Sequence, residues 1–386
     1  MPDAYILGIE SSCDETAAAV VRSGEQLVSN VVASQIATHQ PYGGVVPELA
    51  SREHLRAIVP VVRQALAEAK HTYDSVDAIA VTQGPGLAGA LLVGISYAKA
   101  LAFALGKPLI AVNHLEGHIH AVLLEERQKG NRDLQFPVLA LVVSGGHTHL
   151  YLASQTPASW TYENIGHTRD DAAGEAFDKV AKLLGLGYPG GPVVDRLAAH
   201  GDPQAVKFPP AQIKHRDRRG RNEFRSADPE DNRSRFDFSY SGIKTAILRY
   251  VESQNLQSVI ESRRRALANI RKPTLEDYLA HCDKVTLDLV ASFQRAIVED
   301  LVGKTLAAAA AYEVATLFVT GGVAANRELR NVFEREAAKL GLLAFFPSRP
   351  LSTDNAAMIA AAAYPKFLGK DFAAIDFSAE AGLELR

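Results

Sequence analysis

Cysteine is scarce in this chain, whose 386 residues include only Cys13 and Cys282. Two thiols cannot build a disulfide framework or a metal site of four thiolates. Such sparing use of cysteine is typical of proteins that work in a reducing compartment. We therefore expect a cytoplasmic protein.

Long apolar runs are also lacking. The most apolar stretch, residues 87–95, is far shorter than the roughly 20 residues that cross a bilayer. The first residues, Met1, Pro2 and Asp3, carry no positive charge of the kind that opens a signal peptide. The sequence therefore predicts neither a membrane partner nor export.

Neither sign of charge dominates, because 41 Lys and Arg residues stand against 44 Asp and Glu residues and give a formal net charge of −3. A basic coat over the whole surface, which would point to nucleic acid, is excluded, but a local basic patch is not. Two basic clusters stand out, at residues 214–225 (KHRDRRGRNEFR) and residues 263–265 (RRR). Each is either a solvated surface segment or a contact to the phosphates of a polynucleotide.

The chain is longer than one ordinary core supports, and short strand-like runs alternate with longer helical runs. This alternation predicts an α/β protein. Part of the pattern occurs twice, because a strand ending in Val-Thr is followed by glycine and an Ala-rich helix both at Thr82 and at Thr320. The repeat predicts a duplicated, two-lobed core. We place the N-terminal lobe at residues 1–133, completed by residues 354–386, and the C-terminal lobe at residues 134–353, with a helical insertion over about residues 171–311.

We also make predictions for two segments of the N-terminal lobe, the helix after Pro47 and residues 125–133. The helix expected after Pro47 has one apolar face, which is formed by Leu55, Ile58, Val59, Val62 and Leu66. The polar stretch of residues 125–133 (EERQKGNRD) is interpreted as a hinge or an inter-lobe connection.

The most specific polar cluster is the run HLEGH, from His114 to His118. Histidines four positions apart lie on one face of a helix, where both imidazoles can reach one metal ion; a pair of ordinary surface histidines is the alternative. A zinc peptidase is not favoured, because its general-base glutamate directly follows the first histidine. Here Leu115 has that position, and Glu116 lies about 200° around the helix, pointing away.

The third ligand is expected to be a carboxylate from elsewhere in the chain. Asp354 lies at the start of a helix predicted over residues 356–367, where its side chain would face the cleft. The alternative is that Thr353 or Asp354 caps this helix. Two histidines and one aspartate with open coordination positions suit Zn²⁺ or Fe²⁺, and the sequence does not choose between them.

Three glycine turns follow predicted strands in the second half of the chain. Glycine lets backbone N–H groups approach a phosphate closely, although the GxxxxGK[ST] pattern does not occur at any of these turns. Asp178 lies near a helix start and is placed to bond a ribose or an adenine. Together with the metal cluster, the turns predict a nucleotide cleft. They are Ser144-Gly145-Gly146-His147, Gly190-Gly191, and Gly321-Gly322 with Asn326.

Nine segments, in order from Gly8 to Ala360, resemble the universal family of catalytic subunits of tRNA N6-adenosine threonylcarbamoyltransferase. The resemblance implies the duplicated actin, hexokinase and Hsp70 fold. It also implies transfer of the threonylcarbamoyl group from threonylcarbamoyl-adenylate to N6 of the adenosine 3′ of the anticodon, in tRNAs that read codons beginning with adenine. The segments are GIESSCDETAAAVV, YGGVVPELASREH, GPGLAGALLVGISYAKALA, NHLEGHIHA, LVVSGGHTHL, DDAAGEAFDKVAKLLGLGYPGGP, FSYSGIKTA, VTGGVAANRELR and STDNAAMIA.

The same resemblance implies site residues. It assigns one divalent metal ion per subunit, with Fe²⁺ favoured and Zn²⁺ as the alternative, to His114, His118 and Asp354. Asp14, in the first strand turn, is our candidate to orient the adenosine amine or accept its proton. The positions implied to bind the adenylate are Val142, Val143, Ser144, Gly145, Gly146, Asp178, Gly191, Asp195 and Asn326.

The implied partners are tRNA, a paralogous partner subunit on the N-terminal lobe and a small P-loop ATPase that joins the pair. The helix predicted over residues 87–105, including Ala98, is expected to contribute to the partner interface. Two stretches, at about residues 201–237 and 257–277, are longer than in the bacterial members, and the resemblance assigns them no role. Two alternatives remain at this stage, an ATP-hydrolysing or kinase-like protein of the same fold and a non-catalytic partner subunit.

Overall fold

The computed structural model describes residues 3–156, 159–208 and 236–386. These residues form two five-stranded sheets with helices packed around them. The basic run at residues 214–225, including Arg216, Arg218, Arg219 and Arg221, lies outside the described residues.

The first sheet combines an antiparallel and a parallel half. Its strands follow the order β3-β2-β1-β4-β5. The first three strands pair antiparallel, whereas β4 and β5 continue the sheet in parallel from β1. Most residues of β1, β2 and β4 are buried, because helices cover both faces of the sheet. The strands are β1 Tyr5–Glu10, β2 Glu15–Arg22, β3 Gln26–Ser34, β4 Ala78–Gly84 and β5 Leu109–Asn113.

The second sheet has the same topology. Its order is β10-β9-β6-β7-β8, with an antiparallel meander from β6 to β8 and parallel strands β9 and β10 on the other side of β6. The strands β4 and β9, which end near Thr82 and Thr320, therefore occupy equivalent places. The predicted duplication is confirmed. The strands are β6 Val138–Val143, β7 Thr148–Gln155, β8 Trp160–His167, β9 Thr316–Thr320 and β10 Leu343–Phe345.

The helices lie between these strands, and those between β8 and β9 form the predicted helical insertion. The described helices are α1 Ile36–His39, α2 Pro47–Ala69, α3 Ala88–Leu105, α4 His114–Gln128, α5 Ala173–Leu183, α6 Gly190–Ala198, α7 Ser241–Ser253, α8 Gln257–Ala268, α9 Leu275–His281, α10 Lys284–Ala311, α11 Arg327–Lys339, α12 Arg349–Ser352 and α13 Ala356–Gly369.

The last long helix, α13, packs against the first sheet although it comes from the end of the chain. A Cβ atom at Gly8 of β1 would lie 2.4 Å from the carbonyl oxygen of Ala356, so only glycine lets the helix approach this closely. Helices α2 and α3 cover the opposite face of the same sheet. The final residues then leave this lobe, since Leu385 packs in a cluster with α4 and the second sheet.

Helix α4 connects the two lobes. It follows directly after β5 of the first sheet, and its Leu115, Ile119 and Leu123 pack against residues of the second sheet. Within the segment interpreted as a hinge or an inter-lobe connection, residues 125–128 are helical, since α4 continues to Gln128, and the rest leads into β6 of the second sheet. Helix α4 therefore joins the two sheets.

The apolar face predicted for α2 is only partly buried. Ile58, Val62 and Leu66 lie in the core, but Leu55 is 67% exposed and Val59 is 36% exposed. These two side chains line a surface groove with Leu92, Val93 and Tyr97 of α3. The groove between α2 and α3 is thus an apolar part of the surface of this lobe.

Helix α3 is strongly apolar and partly buried. It has a mean hydropathy of 1.7 over 18 residues, so it is long and apolar enough to cross a bilayer by those criteria alone. Helices in protein cores meet the same criteria, and Leu91, Ile95 and Ala98 of α3 pack against the first sheet. Ala98 is fully buried, so a substitution there does not probe the exposed surface of α3, and the contribution of this helix to the partner interface stays a prediction.

The cluster at residues 263–265 is divided between the core and the surface. Arg263 is 1% exposed and donates to the carbonyl oxygens of Leu184 at 2.7 Å and His281 at 3.0 Å, and to the hydroxyl of Thr286 at 2.7 Å. It ties the insertion helices together and does not contact phosphates. Arg264 and Arg265 are exposed and pair with Glu261 of the same helix.

Candidate functional site

A cavity of about 720 Å³ lies at the carboxyl ends of the parallel strands of both sheets. Ligands of α/β proteins bind at such places. The volume is in the range of ordinary small-molecule sites. Helices α5 and α6 contribute Phe177, Asp178, Gly191 and Asp195, and Asp354 joins from the segment before α13. The loop residues that line the cavity are 12–15 after β1, 85–87 after β4, 144–147 after β6, and 322, 323 and 325–327 after β9.

Helix α4 carries the two predicted histidines, of which His114 lines this cavity and His118 is buried beside it. The side chain of Asn113 caps the helix by accepting a hydrogen bond from the backbone N–H of Leu115 at 2.8 Å. His114 and His118 then lie one turn apart, with ring centroids 4.8 Å from each other. Because the helix starts directly after β5, its first residue, His114, lies at the carboxyl end of the first sheet.

Asp354 completes a cluster with these histidines. Its Oδ1 lies 3.6 Å from His114 Nε2 and 3.2 Å from His118 Nε2, and one ligand atom of each residue lies within 4.8 Å of the others. The structure thus brings the histidine pair of α4 together with an aspartate that is far away in the sequence. Two imidazoles and a carboxylate are a donor set typical of Zn²⁺ and Fe²⁺ sites.

The alternative role of Thr353 or Asp354 as a helix cap is wrong. The cap of α13 is Asn355, whose Oδ1 accepts from the backbone N–H of Met358 at 3.1 Å. Its Nδ2 also donates to the carbonyl oxygen of Thr353 at 2.8 Å. With the helix capped by Asn355, the carboxylate of Asp354 is free to face the histidines.

The electrostatics of the cluster suit a cation. His118 is fully buried, and neither ring nitrogen makes a hydrogen bond within the described ranges, although Nε2 lies 3.2 Å from Asp354. Burial lowers the pKa of His118, which keeps its imidazole neutral and able to bind a metal. Burial opposes ionisation of Asp354, but His114 and His118 outweigh it and hold the pKa of that carboxyl below its usual range. A buried imidazole without a partner beside an ionised carboxylate fits a divalent ion.

His114 has partners on the side away from Asp354. Its Nδ1 lies 3.1 Å from Oε2 of Glu10 and 3.2 Å from the hydroxyl of Ser12. Burial disfavours the protonated imidazole, but the carboxylates of Asp354 and Glu10 raise the pKa of His114 to about 9. The sequence interpretation missed Glu10, and the one signal for it was a charged residue closing an otherwise apolar strand.

Glu116 does not belong to the cluster. It lies on another face of α4, where the hydroxyl of Tyr162 donates to it at 3.4 Å and Lys366 lies 3.7 Å away. The rejection of a zinc peptidase on helix geometry is therefore confirmed.

The predicted glycine turns lie on the cavity wall. A Cβ atom at Gly145, Gly146 or Gly191 would meet none of the described heavy atoms within 4 Å, so these positions border open space. A ligand can approach the backbone there without a side chain in the way. By contrast, Val142 and Val143 are fully buried in β6 and are not part of the cavity wall.

Asp178 lies on the wall with one oxygen engaged. Its Oδ1 accepts from the backbone N–H of Gly190 at 2.6 Å. Burial raises the pKa of Asp178 to about 6, although the N–H groups of Gly190 and Gly191 favour the ionised form. The carboxylate is therefore largely ionised at neutral pH and can accept a hydrogen bond from a ligand hydroxyl.

Asp195 and Asn326 line the cavity but already have strong partners. Asp195 accepts from the backbone N–H of Arg327 at 3.1 Å and from its Nε at 2.9 Å. Asn326 caps α11 through the N–H of Leu329 and donates to Gln294 at 2.8 Å. These bonds hold the segment after β9 against helices α6 and α10. They therefore fix the shape of the cavity wall.

Ionisable side chains in two further places line the cavity, one near Asp14 and one at Arg349. The hydroxyl of Tyr188 lies 3.5 Å from Oδ2 of Asp14, which sits in the turn after β1. Burial raises the pKa of the neighbouring Glu15 well above its usual value. Arg349 is exposed on the cavity wall and makes no ion pair with any residue in the described part of the chain. The sequence interpretation had not singled out Tyr188 or Arg349.

Comparison with known proteins decides the family. The family model described as tRNA N6-adenosine threonylcarbamoyltransferase (TsaD) matches residues 26–361. The chain belongs to this family. A curated relative of that name from Koribacter versatilis is 71% identical over 386 residues and covers all of both chains. Another, from Syntrophomonas wolfei, is 48% identical over 377 residues, which are 98% of this chain and 96% of that protein.

Solved structures agree with the fold of this chain. HypF has a TM-score of 0.54 at 13% identity, covering 96% of this chain and 56% of HypF. Component A of the (R)-2-hydroxyglutaryl-CoA dehydratase of Acidaminococcus fermentans has a TM-score of 0.50 at 12% identity, covering 94% and 98%. At these identities the likeness shows the fold alone. The family match, in contrast, leaves the kinase-like and partner-subunit alternatives without support.

Proposed function

We propose that this chain transfers the threonylcarbamoyl group to N6 of an adenosine in tRNA, with threonylcarbamoyl-adenylate as the donor held in the cavity. The observation that carries the proposal is that His114 and Asp354 of the cluster line the same cavity as the open glycine turns, with the buried His118 beside them. A nucleotide bound at the turns therefore lies beside a cation site.

The wall of the cavity has the groups that an adenylate requires. Backbone at Gly145, Gly146 and Gly191 is open to a phosphate or a ribose, and ionised Asp178 can accept from a ribose hydroxyl. Arg349, which has no carboxylate partner among the described residues, supplies a positive charge for the phosphate. Val142 and Val143 act from behind the wall, by holding the end of β6.

The chemistry explains why the donor must be activated. The exocyclic amine of adenine is a poor nucleophile, because its lone pair is delocalised into the ring. In the proposed reaction this nitrogen attacks the carbamoyl carbon of the donor, and the bond from that carbon to the phosphate oxygen breaks. The products are threonylcarbamoyladenosine in tRNA and AMP, with one proton released from the amine.

Asp14 is proposed to orient the amine or to accept that proton. It lies on the cavity wall in the turn after β1, near Tyr188 and next to Glu15. Burial raises the pKa of the adjacent Glu15 well above its usual value, which favours the protonated form of that side chain over the ionised form.

His114, His118 and Asp354 are proposed to hold one divalent ion, with Fe²⁺ favoured and Zn²⁺ as the alternative. Such an ion supplies Lewis acidity toward a phosphate or carbonyl oxygen. The backbone N–H groups of the glycine turns provide further stabilisation for negative charge that develops on the donor.

The proposed partners follow from family membership and from the surface. The target is the adenosine 3′ of the anticodon, in tRNAs that read codons beginning with adenine. A paralogous partner subunit is proposed to occupy the groove between α2 and α3, with a small P-loop ATPase joining the pair in the cytoplasm. Support for the groove comes from its exposed apolar side chains, Leu55, Val59 and Leu92.

A reconstituted reaction tests the proposal. Purified protein with its partner subunits, synthetic threonylcarbamoyl-adenylate and unmodified tRNA should give threonylcarbamoyladenosine in the nucleoside mass spectrum, together with AMP. Depleting the protein in cells should remove the same nucleoside from tRNA. No modified nucleoside from the complete mixture, with a homologous enzyme active in parallel, would contradict the assignment.

A further inference from the structure

Glu10 is a fully buried carboxylate at the end of β1, with 0% exposure. An unpaired buried charge costs several kcal/mol, so its partners are informative. Its Oε2 accepts from the hydroxyl of Thr82 at 2.7 Å and lies 3.1 Å from Nδ1 of His114, while Oε1 accepts from the backbone N–H of Ser12. Each of these contacts needs a donor on the partner.

The requirement for a donor fixes the proton on His114. An ionised carboxylate only accepts hydrogen bonds, so Nδ1 of His114 must carry the proton. In the neutral form of the ring, which is the form that binds a metal ion, the lone pair is then on Nε2, the nitrogen that faces Asp354. Ser12 alone would not determine this, because its hydroxyl, 3.2 Å from the same Nδ1, can either donate or accept.

We infer that Glu10 is a positioning residue for the metal centre: it holds His114 in the tautomer and orientation that present Nε2 to the ion. The inference rests on the proposed metal role of His114, His118 and Asp354. Buried carboxylates that accept from a ligating imidazole orient the ring and raise its basicity, and losing such a partner typically weakens metal binding about 10- to 100-fold.

The second histidine is held in a different way. Nδ1 of His118 has no hydrogen-bond partner in the part of the chain that is described, so no side chain sets its tautomer. Its backbone carbonyl instead accepts from the hydroxyl of Thr320 at 2.9 Å. Glu10 thus fixes one ligand ring of this cluster, on the side of the ring away from the ion. Removing its carboxylate should lower metal affinity by releasing His114.

Metal affinity of variants tests the inference without an activity assay. Glu10→Gln keeps the size of the side chain but must direct its amide N–H₂ either at His114 or at the N–H of Ser12. We expect its Zn²⁺ dissociation constant to rise about 10- to 100-fold. The absorption bands of bound Co²⁺ should change as well. Glu116→Gln is the matched control, because Glu116 is a buried glutamate on another face of α4, where it contacts Tyr162. This variant should bind Zn²⁺ like the unmodified protein.

Three outcomes would overturn the inference: a Glu10→Gln protein that is folded and has unchanged affinity, an equal loss of affinity in Glu116→Gln, or a His114 ring protonated at Nε2 in the zinc-loaded, unmodified protein. Ring ¹⁵N spectra of that protein provide the last measurement, and they decide the matter even if Glu10→Gln does not fold. His118→Ala separates the inference from the proposed function, because retention of metal in that variant would reject the ligand assignment itself.

Discussion

Thr320 donates its hydroxyl to the main-chain carbonyl of His118 at 2.9 Å, and so attaches a candidate metal ligand to the end of a strand in the second sheet. Thr82 has the equivalent place in the first sheet, where it donates to Glu10, the partner of His114. Each lobe therefore fixes one of the two histidines through a threonine at or near the end of its strand. The cluster on α4 is a junction between the lobes, and its geometry depends on both of them.

The first prediction concerns Asp354. Asp354→Asn should lower the affinity for a divalent ion by at least about tenfold, because it removes the one carboxylate of the cluster. The fold should be unaffected, since the cap of α13 is Asn355. Metal content by elemental analysis and unfolding in urea check the two statements. Asn355→Ala should instead destabilise the protein by about 1 kcal/mol, and stoichiometric metal in Asp354→Asn would contradict the assignment.

The second prediction concerns pH and Asp178. Burial raises the pKa of this carboxyl from 3.8 to about 6 in the folded protein. The folded state therefore binds the proton more tightly than the unfolded state, and the group stabilises the fold less as pH rises from 4 through 6. Asp178→Asn lacks this titration. Relative to the unmodified protein, the variant should gain about 1 kcal/mol of stability between pH 5 and pH 7.5.

Urea unfolding at the two pH values measures this difference. Glu175→Gln, an exposed position on the same helix, is the control and should show no comparable change between the two pH values. AMP binding provides the functional readout, because an amide no longer offers an ionised acceptor to the ribose. A stability difference that does not change with pH would show that Asp178 has an ordinary pKa.

Local patterns were sufficient to predict the duplicated fold, because strand and helix periodicity and the two segments in which Val-Thr precedes glycine depend on neighbouring residues. The spacing of His114 and His118 was informative for the same reason. Glu10 was missed, since it contacts a histidine 104 positions away. The burial of Arg263 depends on Leu184, 79 positions away, and no local signal distinguishes it from the exposed Arg264 beside it.

The third prediction follows from that difference. Arg263→Ala should destabilise the protein by about 3 kcal/mol, because it leaves two buried carbonyl oxygens and the Thr286 hydroxyl without their donor. Arg265→Ala, the matched surface control, should change stability by no more than about 0.5 kcal/mol, since its pair with Glu261 is exposed. Denaturant unfolding measures both values. Equal effects would contradict the buried role of Arg263.

The fourth prediction concerns the basic run outside the described residues. A tRNA is longer than the cavity, so part of its backbone must be bound elsewhere on the protein. Because a net charge of −3 gives no overall attraction for phosphates, local clusters of basic residues must supply these contacts. Replacing Arg216, Arg218, Arg219 and Arg221 with Gln should weaken binding of all substrate tRNAs alike. The slope of log affinity against log salt should flatten by about 0.7–0.9 for each lost phosphate contact. AMP binding serves as the control, and an unchanged salt slope would remove this segment from the tRNA interface.

The last prediction concerns the groove between α2 and α3. Leu92 is 53% exposed beside Leu55 and Val59, whereas Ala98 faces the core, so a charge at Leu92 alters the surface and leaves the sheet packing intact. Leu92→Asp should weaken binding of the proposed partner subunit by at least about 30-fold, the loss expected at the centre of an interface. Size-exclusion chromatography and calorimetry of the two purified subunits measure it. Leu340→Asp, at a 59% exposed leucine of the other lobe, is the control and should leave the complex unchanged. If Leu92→Asp binds the partner as tightly as that control, the groove is not the interface. The exposed leucines of α2 and α3 would then belong to another contact.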